Sequence, residues 1–200
     1  MIAILDYGSG NLRSAQRAFE TSGREVVITS DYEVALNADG LVVPGVGAFA
    51  ACMEGLIKVR GDQIVRERIA AARPTLGICV GMQILFARGV EHGNHDGVGI
   101  WDATVEKLEA PILPHMGWNE VKIVKKNDLF LDIKDLSHFY FVHSYAFEAE
   151  NNNDVICTTD YEKSVAAVLL KENIFGTQFH PEKSQENGIK LLSNFLNWNL

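Results

Sequence analysis

Thr75-Leu-Gly-Ile-Cys79-Val-Gly81-Met-Gln-Ile-Leu85 begins as an apolar, strand-prone run and changes character at a cysteine with glycine two positions to either side. Residues 75–78 read as a buried strand and residues 80–87 as a helix, so the chain passes from strand to helix through Cys79. Gly77-Ile-Cys79-Val-Gly81 has the spacing of a nucleophile elbow. In such a turn the backbone folds so tightly that side chains two residues before and after would collide. The turn presents the sulfur at a helix N-terminus, where the dipole favours thiolate, and aims the Val80 amide at any oxyanion formed there. A cysteine at a strand end also fits a small packed hydrophobe, and only the two glycines tip the reading toward a nucleophile.

The segments before it repeat the alternation. Residues 2–5, 26–29 and 41–43 read as strands, and residues 12–21, 48–57 and 63–72 as helices, the last stopped by Pro74. Strands alternating with helices require crossover connections, which predicts an α/β domain whose central, mostly parallel sheet is flanked by helices. The second half changes texture. Residues 98–107, 119–124, 139–148, 155–159, 165–171 and 174–179 read as strands joined by turn-rich segments, adding antiparallel pairs, before a terminal helix over 185–197. No repeat or linker interrupts the chain, so residues 1–200 read as a single domain.

Composition narrows the class. Of 200 residues, 47% are hydrophobic and 22% charged, enough for one core without disulfide or metal staples. Eighteen Lys+Arg against 26 Asp+Glu leave a net charge of -8, which argues against nucleic acid or an anionic membrane as a partner. The apolar run at residues 1–5 ends at Asp6, too short for a signal peptide or a membrane span. Cys52, Cys79 and Cys157 form no CxxC pair and leave an odd count, which suits a reducing compartment and a cytoplasmic protein. Cys52 falls in a helical pattern and Cys157 in a strand, so both read as inert packing residues.

A sulfur nucleophile needs an imidazole held by a third group. Gly176-Thr-Gln-Phe-His180-Pro-Glu182 supplies both at the end of a predicted strand. Proline bars the α conformation at His180, and in extended chain residues i and i+2 share a side, so Glu182 can fix the ring tautomer. The same tripeptide also fits an ordinary surface turn. His143 lies among Phe139, Phe141 and Tyr145 and reads as a packed, hydrogen-bonded histidine, while His115 and His138 fall near predicted loops and read as solvated. His92, His95 and Asp96 imitate a metal site, but Gly93 and Gly97 indicate a turn, and no metal is expected. Val43-Pro-Gly45-Val46-Gly47-Ala follows a strand and can bring backbone amides to a ligand, although Gly/Pro turns are common. Gly8-Ser-Gly10-Asn-Leu-Arg13 lacks the third glycine of a dinucleotide fingerprint, so no nucleotide cofactor is expected.

Gly-Ile-Cys79-Val-Gly-Met-Gln83 and Gln-Phe-His180-Pro-Glu182-Lys-Ser together resemble the class I (triad) glutamine amidotransferases. Asp6-Tyr-Gly-Ser-Gly-Asn-Leu-Arg-Ser14, Pro44-Gly-Val-Gly-Ala-Phe49, Pro114-His-Met-Gly-Trp-Asn119 and Tyr140-Phe-Val-His-Ser-Tyr145 narrow the likeness to the glutaminase subunits of imidazole glycerol phosphate synthases. The resemblance implies that Cys79 attacks the glutamine side-chain amide, His180 shuttles the proton and Glu182 orients the ring. It implies an oxyanion hole from Val80 with Val46 and Gly47, in which the Val46 peptide must reorient once a partner is loaded. It implies glutamine binding by Gly45, Gly47, Gln83, Glu91, Ser144 and Tyr145, with Glu91 meeting the α-ammonium. It implies no cofactor, and a (β/α)8-barrel synthase subunit that receives ammonia through an internal channel and docks near Asn11, Met116, Trp118 and Asn119. From the residues alone, Trp118 fits an interface anchor and a buried cap equally. Three rival readings stay open at this point: a stand-alone γ-glutamyl hydrolase, an idle regulatory subunit, and an ammonia donor to another acceptor.

Overall fold

A computed structural model describes residues 1–149 and 152–198. The first half contributes β1 (Ile2–Leu5), α1 (Leu12–Glu20), β2 (Val26–Thr29), α2 (Tyr32–Asn37), β3 (Gly40–Gly45), α3 (Phe49–Lys58), α4 (Gly61–Ala70), β4 (Thr75–Cys79) and a one-turn α5 (Val80–Gln83). The second half contributes β5 (Phe86–Gly89), β6 (His95–Asp96), β7 (Trp101–Lys107), β8 (His115–Ile123), β9 (Ser137–His143), β10 (Tyr145–Ala146), β11 (Val155–Tyr161), β12 (Lys163–Lys171), β13 (Ile174–Thr177) and α6 (Gln185–Leu196). A 3-10 turn, Pro181–Lys183, joins β13 to α6.

Nine strands form one mixed sheet in the order β2-β1-β3-β4-β13-β12-β11-β8-β9. The β2-β1-β3-β4-β13 half is parallel and the remainder antiparallel, matching the change of texture along the chain. Every residue of β3 and β4 is buried, as parallel strands covered on both faces must be. Helix α6 seals its end of the core through Phe195, edge-on to Phe19 at 6.3 Å and to Phe175 at 5.7 Å. Each such ring contributes about 1.5–3 kcal/mol by leaving water.

Three expectations need correction. The helix expected over 80–87 lasts one turn, because Phe86 enters the small sheet β10-β7-β5-β6 beside β7. Helix α2 was not expected, since six residues are too few for a visible period. It forms where Asp31 accepts a hydrogen bond from the Val34 amide at 2.9 Å, capping its first turn. Finally, β8 starts at His115 rather than at residue 119, so His115 is buried, not solvated. Its ring stacks on Tyr161 at 4.0 Å and on Phe141 at 4.8 Å.

Arg68 ties the helices to the site strand. It is fully buried and donates to the carbonyls of Leu36 and Ala38 (both 2.8 Å) and Pro74 (2.6 Å), and to Thr75 Oγ1 at 3.1 Å. Burial lowers its pKa to about 10. Among the described residues no helix is long and apolar enough to cross a membrane.

Candidate active site

The register of three adjacent parallel strands builds the site. Gly45 at the end of β3 lies opposite Cys79 at the end of β4, and Thr177 at the end of β13 lies opposite Ile78. Chains leaving the carboxyl ends of these strands therefore converge, as is usual for α/β sheets.

Cys79 has φ 55° and ψ -116°, a conformation L-residues rarely adopt and one that stores about 1–3 kcal/mol. The flanking glycines are required by space. A Cβ on Gly81 would overlap the Val43 carbonyl oxygen, one on Gly77 would come within 2.8 Å of Met82 Cα, and one on Gly45 would strike the Gly81 amide. The elbow expected from the spacing is present. Its helix has only four residues, so the dipole expected to act on the sulfur is slight. The Val80 amide opens that turn and has no intrahelical acceptor, which leaves it available to an oxyanion.

His180 Nδ1 lies 2.7 Å from Glu182 Oε1, and both side chains are almost completely buried. The approach differs from the extended i, i+2 arrangement expected. His180 is extended (φ -97°, ψ 96°), but Pro181 starts a 3-10 turn that swings the carboxylate back under the ring. His180 Nε2 is buried and has no hydrogen-bond partner, leaving it for a reacting group. Burial opposes charge on this imidazole, yet Cys79 and Glu182 outweigh it and raise the pKa to about 10.

A cavity of about 540 Å³ opens in front of these groups, lined by Val46, Gly47, Ala48, Cys79, Val80, Gln83, Glu91, Pro114, Val142, His143, Ser144, Tyr145 and His180. It gathers all the substrate and oxyanion residues expected from the sequence except Gly45, which backs the elbow. A groove of similar volume, lined by Lys126, carboxylates and apolar side chains of residues 123–135, holds no cysteine, serine or histidine. Glu91 Oε2 accepts from the Phe49 amide at 2.9 Å, fixing the carboxylate at the start of α3. Gln83 Nε2 donates to the Tyr145 carbonyl at 2.8 Å.

The 44–47 loop is held from behind by side chains that sequence reasoning missed. Tyr7 Oη donates to the Pro44 carbonyl. Ser9 Oγ accepts from the Val46 amide at 3.1 Å and donates to the Val46 carbonyl at 2.8 Å, and Cys52 Sγ donates to that carbonyl at 3.4 Å. In this conformation the Val46 amide is engaged with Ser9, not offered to the cavity.

The four residues expected at a partner surface do not share one face. Met116 and Trp118 are exposed on the same side of β8, and Trp118 meets Tyr140 edge-on at 6.1 Å, so it does not cap a core. Asn119 turns the other way, 3.1 Å from His115 Nε2 and 3.0 Å from the Asp160 carbonyl. Asn11 occupies the N-cap of α1 without making a cap bond. Among the described residues no group of three or more His, Cys, Asp or Glu side chains could hold a metal.

The family model for "Glutamine amidotransferase class-I" matches residues 3–198, nearly all of the chain. The chain belongs to the class I glutamine amidotransferases. This amidotransferase is 52% identical over 198 residues to "Imidazole glycerol phosphate synthase subunit HisH" of Mycobacterium tuberculosis strain H37Rv, covering 98% of this chain and 96% of that one. The protein of the same name from Corynebacterium glutamicum is 51% identical, with 98% of each chain covered. Among solved structures, PurLQS from Thermotoga maritima superposes with a TM-score of 0.77 at 17% identity, covering 98% of this chain and 97% of that one. That likeness speaks for the amidotransferase fold alone.

Proposed function

We propose that this amidotransferase hydrolyses glutamine to glutamate and ammonia through a γ-glutamyl thioester, and passes the ammonia to a (β/α)8-barrel synthase subunit. The barrel would use it to make imidazole glycerol phosphate and an aminoimidazole carboxamide ribotide in histidine biosynthesis, in the cytoplasm. The observation that carries the reading is that Cys79 and His180 line one cavity, with Glu182 hydrogen-bonded to the His180 ring, in a chain half identical to HisH subunits. Three free, buried cysteines support the compartment.

The chemistry follows from the groups present. Cys79 and His180 share one proton, and with it on His180 Nε2 the sulfur is a nucleophile beside an imidazolium that Glu182 stabilises. Attack on the side-chain carbonyl carbon puts negative charge on its oxygen, met by the Val80 amide and, once turned, by the Val46–Gly47 backbone. His180 then protonates the leaving amine, ammonia departs, and water activated by the neutral imidazole splits the thioester. Glu91 would meet the α-ammonium, and Gln83, Ser144 and Tyr145, which line the same cavity, would surround the rest of the substrate. The exposed Met116 and Trp118 are suited to anchoring the barrel subunit.

The test is a glutaminase assay of this chain alone, with the barrel subunit, and with that subunit plus its acceptor ligand. A large rise on adding both is expected. Full turnover by the chain alone would identify a free hydrolase, and no turnover under any condition would identify an idle subunit.

A further inference from the structure

Gln178 lies two residues before His180, is fully buried, and touches the sulfur. Its Nε2 is 3.8 Å from Cys79 Sγ, and its Oε1 is 3.0 Å from Gln83 Nε2. By shape alone either amide could be turned over. The Tyr145 carbonyl removes that freedom, because it can only accept. Gln83 must present its NH2 to Tyr145, and the second hydrogen of the same NH2 points at Gln178. The atom of Gln178 that faces it is therefore oxygen, and its NH2 faces the sulfur.

The same carbonyl sets the opposite arm. His143 Nδ1 lies 2.9 Å from it and so carries a hydrogen. Burial lowers the His143 pKa to about 3 and that of His115 to about 4, so both rings are neutral. His143 Nε2 is then an acceptor, His115 Nδ1 at 2.9 Å donates to it, and His115 Nε2 accepts from Asn119 Nδ2 at 3.1 Å. One acceptor thus receives donors from two arms, one reaching back to Asn119 on β8 and the other fixing Gln83 beside Gln178.

We propose that Gln178 is a catalytic residue, a hydrogen-bond donor to Cys79 Sγ held in that orientation by Gln83, whose own amide is fixed by the Tyr145 carbonyl. The inference rests on Cys79 being the nucleophile. While the thiol is protonated its hydrogen lies toward the Val142 carbonyl, at 3.8 Å, and the Gln178 contact is weak. When the sulfur loses that proton, the Val142 oxygen repels it and the Gln178 bond becomes charge-assisted. A reversed Gln178 amide would set a second carbonyl oxygen against the same charge.

The test is the rate at which iodoacetamide alkylates Cys79 at neutral pH, read by mass spectrometry of the peptide that carries it. Gln178→Met keeps the volume without the donor, and Gln178→Glu keeps the shape but presents oxygen. Both should slow alkylation about tenfold or more, with kcat falling and KM for glutamine little changed in the complex with the barrel subunit. Alkylation of folded Gln178→Met at the parental rate overturns the proposal. Should the variants fail to fold, 15N NMR of the glutamine-labelled parent decides: the resonance of the buried Gln178 side-chain NH2 must move when Cys79→Ala removes the sulfur, and an unchanged resonance overturns it. Alkylation does not depend on glutamine turnover, so a parent that never hydrolyses glutamine would sink the proposed function without touching this measurement.

Discussion

His180 donates through Nδ1 to Glu182 Oε1 at 2.7 Å, from two side chains that water barely reaches. The carboxylate both fixes the tautomer, leaving Nε2 toward the reaction, and holds charge on the ring. Cys79→Ser should abolish glutamate release, with the loss in kcat on the order of a million-fold seen when a triad nucleophile is removed. His180→Ala should follow closely, and Glu182→Gln should retain more activity than either. Steady-state glutaminase assays of the assembled complex give the ranking. Equal and small losses for His180 and Glu182 would move the base elsewhere.

The strained backbone at Cys79 predicts a difference between two inactive variants. Cys79→Gly relieves the positive φ, whereas Cys79→Ala keeps a Cβ in it. The glycine variant should be the more stable of the two by about 1 kcal/mol, read as a shift in urea midpoint at constant slope. An alanine variant of equal or greater stability would mean that the turn is not strained.

Ser9 holds both polar atoms of Val46. Ser9→Ala removes both bonds, and the one that holds the Val46 amide is worth about 1 kcal/mol. Partner-free glutaminase turnover should rise by roughly fivefold, narrowing the gap to the activated complex. A fall in basal turnover would show that Ser9 shapes the loop for catalysis rather than holding it back.

Stability should pass through a maximum near pH 6.5. An unfolded histidine titrates near 6.5. His143 and His115 titrate near 3 and 4 when folded, so as pH falls from 6.5 toward those values the unfolded chain takes up more protons and stability drops. His180 behaves oppositely. Its pKa rises to about 10 on folding, so its contribution is complete below pH 6.5 and is lost as pH climbs toward 10. Urea denaturation from pH 4 to 10 reads both limbs. A flat alkaline limb would exclude a charged His180.

Trp118→Ala should leave the melting temperature nearly unchanged and weaken binding of the barrel subunit by tenfold or more, measured by calorimetry. An unfolded variant would give the indole a structural role instead.

Much of the site could be read in advance wherever chemistry is written in short spacing. Gly77, Cys79 and Gly81 announce their turn because the collision they avoid is local, and His180-Pro-Glu182 announces its pair for the same reason. What could not be read depends on strands distant in the chain. His115 and His143 are cross-strand partners in the β8–β9 register, so neither position betrays the other. Tyr7 meets Pro44, and Ser9 and Cys52 meet Val46, only after β1 and β3 pair and α3 packs. Gln178 had a local clue, since it lies two residues from His180, but without Gln83 and Tyr145 nothing distinguished it from a strand glutamine. The short α5 escaped for another reason, as the apolar run 84–86 suits helix and strand alike until Phe86 meets β7.

The neighbours of β4 have a consequence for how such chains can diversify. Gly45, Cys79 and the segment leading to His180 leave three strands laced side by side by their backbone ladder, while the residues from β5 to β12 form one long excursion between them. Insertions, deletions or exchange of those turns of the excursion that lie away from Glu91 and residues 140–145 leave the sulfur, the imidazole and the groups around them in place. New docking faces can therefore be tried, by natural drift or by grafting, on a catalytic frame that does not feel the change.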